Sequence, residues 1–109
     1  MKTENTKAQM RKGVLEYCIL LLMKHKDQYI SDIIENLEKS KMIAIEGTLY
    51  PMLIQLKNKG YLGYWYEESL QGAPRKYYEL TQTGQLFLSE LEKSWNEIVE
   101  AVFHINVRN

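Results

Sequence analysis

The last quarter of the chain sets the condition that is hardest to meet. Leu88, Leu91, Trp95, Ile98, Val102 and Ile105 follow one another at spacings of three and four residues, the a/d seam of a helix that packs along its length on another. Thr81 is a fair N-cap for this helix, which the pattern predicts over 82–106. About 25 residues at 1.5 Å each span about 37 Å. A chain of 109 residues leaves too small a core to cover such a seam. It therefore needs an outside partner, and the simplest is the same helix of a second copy across a two-fold axis.

The residues before it supply that small core. Over 7–25, Met10, Val14, Leu15, Cys18, Ile19 and Leu22 recur at helical spacing, with Leu21 and Met23 widening the stripe. Asp27 reads as the N-cap of a short second helix over 28–40, in which Ile30, Ile33, Ile34 and Leu37 share a face. A third helix over 46–59 turns Leu49, Leu53 and Leu56 inward and stops at Gly60. Pro51 lacks an N–H, which places the start of that helix near Glu46–Thr48. After Gly60 the period falls to two. Leu62, Tyr64 and Tyr66 alternate with Gly63, Trp65 and Glu67, and the run from Lys76 to Leu80 alternates again. A turn-forming stretch, Ser69 to Pro74, joins the two runs as an antiparallel hairpin.

Several function classes have little support. A single cysteine, Cys18, makes no intrachain disulfide, so a reducing cytoplasm is expected. The longest apolar run, Tyr17 to Met23, is far too short to span a membrane, and Met1 to Asn5 shows no signal-peptide pattern. His25 and His104 have no Cys or carboxylate at metal-ligand spacing, so no metal is expected. Cys18 sits on an apolar helix face as an inert thiol. The glycines at 60, 63, 72 and 84 read as turn residues rather than as a phosphate-cradling loop, so neither catalysis nor a cofactor is expected.

Net charge is zero, but its distribution is not even. Lys2, Lys7, Arg11, Lys12, Lys24 and Lys26 outnumber Glu4 and Glu16 at the front, while acidic residues prevail over 82–109. Such a chain can offer one basic face to phosphate. The order helix, helix, helix, hairpin, long helix describes an α+β, mostly helical winged helix-turn-helix, whose third helix enters the DNA major groove. At the start of that helix Gly47 allows close approach, and Thr48 and Tyr50 offer hydroxyls.

The run Glu46-Gly47-Thr48-Leu49-Tyr50-Pro51, the later run Pro74-Arg75-Lys76-Tyr77-Tyr78-Glu79-Leu80-Thr81 and the early run Arg11 to Glu16 together resemble the PadR family of bacterial transcriptional regulators. The short single C-terminal helix is similar to the smaller subgroup of that family. The resemblance implies a homodimeric repressor that binds a pseudo-palindromic operator in double-stranded DNA and is released by a small-molecule or stress signal. Residues 1–81 would be the DNA-binding winged helix and 82–109 the dimerisation helix. Carried over by motif, Thr48 and Tyr50 contact DNA from the third helix and Arg75 and Lys76 from the wing. Arg11 and Lys12, with Lys7, are placed to touch the DNA backbone. Where the family often has a basic pair, this chain has Ile54-Gln55; Gln55 retains the means to pair with adenine. The opposing reading, a winged helix that binds protein and not DNA, draws on that substitution and on the zero net charge.

Trp95, with Leu91 and Val99 as its i±4 neighbours and Ile98 and Val102 on the same seam, has two readings. It is either a large dimer anchor facing a second copy or one wall of a site for an aromatic or hydrophobic effector, as the resemblance implies. Of Tyr77 and Tyr78, alternation requires at least one to lie in the core.

Overall fold

The computed structural model describes residues 3–42 and 44–108; Lys2 of the basic front and both chain ends of the expected domains lie outside them. Seven elements follow in order: α1 (Thr3–His25), β1 (Gln28–Tyr29), α2 (Ile30–Lys39), α3 (Glu46–Asn58), β2 (Leu62–Glu67), β3 (Arg75–Leu80) and α4 (Gln82–Val107). The body is mostly helical, with one small antiparallel sheet of order β1-β3-β2. The expected winged helix-turn-helix is present, extended by one short strand.

That strand corrects the reading of residues 27–29. Gln28 pairs with Tyr78 and Tyr29 with Tyr77, so the backbone here is extended and α2 begins only at Ile30. Tyr29, not Asp27, occupies the N-cap position, and its N–H donates to the Asp32 carboxylate at 3.2 Å. Asp27 instead accepts the indole N–H of Trp65 at 2.8 Å. The buried Gln28 is satisfied on both sides of its amide, donating to the Lys26 carbonyl at 3.3 Å and accepting from Asn36 at 3.2 Å.

The core gathers one face from every helix. Ile19 and Leu20 of α1, Ile33 of α2, and Leu49, Leu53 and Leu56 of α3 are fully buried, joined by Leu62, Tyr78 and Leu88. Removing one such aliphatic side chain from water is worth about 1.5–3 kcal/mol. Tyr78 is therefore the core ring of the wing. Tyr77, on the opposite face of β3, stacks on Trp65 with ring centroids 4.6 Å apart.

The junction of α3, β3 and α4 fixes where the long helix leaves the body. At the end of α3, Gly60 has φ +84°, which glycine adopts without a Cβ penalty. The N–H groups of Gly60 and Tyr61 return to the carbonyls of Lys57 and Leu56 at 2.9 and 3.0 Å, closing a Schellman turn. Thr81 caps α4 as expected, its hydroxyl oxygen accepting from the Gly84 N–H at 2.9 Å and lying 2.6 Å from the Gly60 carbonyl. Its own N–H donates to Tyr61 at 3.1 Å. Gly84 is no turn residue. It is buried in the first turn of α4, and a Cβ there would collide with the Tyr61 carbonyl. Gly63 likewise lies inside β2. Tyr61 and Phe87 stack above this contact with centroids 4.0 Å apart.

Candidate nucleic-acid interface

With Leu49, Leu53 and Leu56 inward, the intervening positions of α3 point outward. Thr48, Tyr50 and Gln55 are all exposed, and α4 leaves the opposite end of α3, so that face is open. Between them lie Pro51 and Ile54, the latter 51% exposed. No cation stands on this helix before Lys57. Ile45 precedes the helix without a capping side chain, while Thr48 and Leu49 donate to its carbonyl at 3.0 Å. The N–H groups of Glu46 and Gly47 thus remain for an outside acceptor, such as a phosphate oxygen.

Positive charge lies on α1, beside the start of α3. Arg11 and Lys12 share a hollow of about 310 Å³ with Ile45 and Thr48, beside the open start of α3. Three residues predicted in two separate stretches of sequence therefore meet on one surface. The wing behaves differently. Arg75 and Lys76 are successive residues of a strand and point to opposite faces. The Arg75 guanidinium lies over Tyr29 at 5.6 Å, whereas the Lys76 ammonium lies over Tyr64 at 4.3 Å and Tyr78 at 5.2 Å. Lys57, from the far end of α3, reaches the same Tyr64 ring at 5.5 Å. Sequence reasoning missed Tyr64 because its role depends on the strand register, which pairs it with Tyr78.

A second surface lies between α1 and α4. Trp95 meets the first helix of its own chain, with its ring 6.0 Å from that of Tyr17. It stays 37% exposed, at the edge of an open groove of about 680 Å³. Met10, Val14, Cys18, Ile98, Val99 and Val102 line that groove, while Leu91 lines a smaller hollow of about 300 Å³ that shares Trp95 with it. Tyr17 and Met42 also line the groove, and nothing in their sequence positions marked them. Burial raises the Tyr17 hydroxyl above its ordinary pKa, and the Glu92 carboxylate adds to the effect. Burial likewise pushes the Cys18 thiol up, which keeps it protonated and unreactive at neutral pH. Lys24 and Glu92 tie α1 to α4 at 2.9 Å.

A profile of the transcriptional regulator PadR-like family matches residues 19–90, from the last two turns of α1 into α4. The chain belongs to that family. A PadR-like transcription factor from Bacteroides fragilis is 56% identical in sequence, and the alignment covers 93% of this chain and 98% of that one, with a TM-score of 0.78. A PadR-like transcriptional regulator from Bacillus cereus is 30% identical over 93% of this chain and 99% of its own, with a TM-score of 0.83. Bacillus subtilis PadR, solved in complex with operator DNA, is 25% identical. That alignment covers 72% of this chain and 46% of the longer relative, with a TM-score of 0.66. The family and these relatives are transcriptional regulators, not enzymes. No helix among the described residues is long and apolar enough to cross a membrane.

Proposed function

We propose that this PadR-like regulator is a cytoplasmic homodimeric repressor whose paired α3 helices read a pseudo-palindromic operator in double-stranded DNA. The observation that carries the reading is the convergence of Arg11, Lys12 and Thr48 at the uncapped start of α3, on a face the described residues leave open. In it, Arg11 and Lys12 hold backbone phosphates, while Thr48, Tyr50 and Gln55 reach base edges. Arg75 and Lys76 contact the backbone from the two faces of the wing. Residues 1–81 act as the reading head and 82–109 as the dimerisation helix. The solved relative bound to operator DNA supports this partner.

Two copies joined along Trp95, Ile98, Val99 and Val102 would set their α3 helices about one DNA turn (roughly 34–36 Å) or a multiple apart. A flat apolar effector fits the chemistry of the groove beside Leu91 and Trp95. To release DNA tenfold it must prefer the DNA-incompetent spacing by about 1.4 kcal/mol. One observation favours a second reading, a winged helix that binds protein: the outward face of α3 presents Tyr50, Pro51 and Ile54 without a cation. A gel-shift with the DNA upstream of the chain's own gene separates the two. A discrete complex that Thr48→Ala or Tyr50→Ala weakens is expected; no complex at low salt would sink the repressor.

A further inference from the structure

The lysines of this chain fall into two kinds. Lys7, Lys24, Lys39 and Lys93 each stand within ion-pair distance of a glutamate. Among the described residues, Lys12, Lys26, Lys41, Lys57, Lys59 and Lys76 pair with no carboxylate, and of these lysines Lys57 and Lys76 alone stand over an aromatic ring. Both are placed over the ring of Tyr64, at 5.5 and 4.3 Å. A tyrosine face attracts an ammonium group without cancelling its charge. Two flexible cations from different elements are thus held at one spot with their charge intact. That spot is where α3 meets the hairpin, and Tyr64 is exposed there. Arg75 is placed otherwise, on the far face of β3 and directly across from Glu67.

On the DNA-binding reading, and resting on it, we propose that Lys57, Tyr64 and Lys76 form a phosphate seat for duplex DNA between α3 and the wing. Its ligand is the sugar–phosphate backbone of one strand, held without regard to sequence. Lys57 and Lys76 supply the charge. Tyr64 is a positioning residue that sets where they stand. The seat lies at the opposite end of α3 from Arg11 and Lys12, so the two basic groups flank the outward face of the helix. This accounts for a recognition helix with Ile54-Gln55 in place of cations: the charge is carried beside it.

The test measures the affinity of the full chain for two labelled duplexes, one of random sequence and one from upstream of its own gene, across a salt series. Each phosphate contact contributes about 0.9 to the slope of log K against log salt. Lys57→Gln and Lys76→Gln are each expected to lower the slope by about that amount and to weaken both duplexes alike. Lys39→Gln, an ion-paired lysine of α2, is expected to leave the slope unchanged. Tyr64→Phe keeps the ring and should bind as the parent does, whereas Tyr64→Leu should bind several-fold more weakly. If Lys57→Gln behaves like Lys39→Gln while the parent binds, the seat is overturned and the DNA reading stands. If Tyr64→Phe is as weak as Tyr64→Leu, the ring has no part in it. A parent chain that binds neither duplex removes both readings.

Discussion

Gly84 and Leu88 lie in the first two turns of α4 and are buried against the reading head, while every described residue from Lys93 to Arg108 is exposed. The same helix therefore serves two environments. Its first turns are shaped by contacts within the chain, down to the missing Cβ that lets Tyr61 approach. Its later turns keep Ile98, Val102 and Ile105 on one side although the described residues leave them largely exposed, Ile105 being 72% exposed. An apolar stripe without a cover is a poor feature for a monomer. The contrast separates residues that hold the fold from residues left open to solvent.

The largest effect should come from the buried end. Leu88→Ala is expected to cost about 2–5 kcal/mol, read as a lower midpoint in urea. Gly84→Ala should follow at about 1–3 kcal/mol, because a methyl group there forces Tyr61 and the start of α4 apart. The boundary between the two environments should respond to pH. Tyr17 and Cys18 are favoured in their neutral forms by burial, so the unfolded chain releases these protons first. Stability should hold below about pH 8.5 and decline above it as the ordinary cysteine and tyrosine values are passed. Tyr17→Phe with Cys18→Ala should flatten that decline in thermal melts taken from pH 7 to 11. The smallest effect on the fold belongs to the exposed end. Ile98→Glu should change the stability of the head by no more than about 0.5 kcal/mol, yet turn a dimer into a monomer by light scattering. If Ile98→Glu instead unfolds the head as Leu88→Ala does, the division of α4 is wrong.

Periodicity made much of this legible. The three leucines of α3, the alternation of the hairpin and the cap Thr81 each appear where the sequence places them, because each is a local pattern with a local cause. β1 escaped because Gln28 and Tyr29 form too short a strand to show a period, and only pairing with β3 makes them extended. Gly84 was read as a turn because its reason for being glycine, the Tyr61 carbonyl, lies 23 positions away in sequence. Lys57, Tyr64 and Lys76 come from three elements and meet only through the hairpin register. The meeting of Arg11 and Lys12 with Thr48 is of the same kind: the two cations were named from one stretch and Thr48 from another, and the hollow they share needed the fold.

Thr81 is bound to Gly60 and Tyr61 on one side and to Gly84 on the other, so the reading helix and the tail are welded at a common corner. Tilting the tail carries the reading helix with it, as a crank carries its handle. Over the 26 residues of α4, an arm of about 39 Å, a pivot of about 10° between the two tails of the proposed dimer would displace the far end by about 7 Å. In the proposed dimer on DNA, a corner of this kind would convert a slight adjustment beside Trp95 into a change of stride along the double helix.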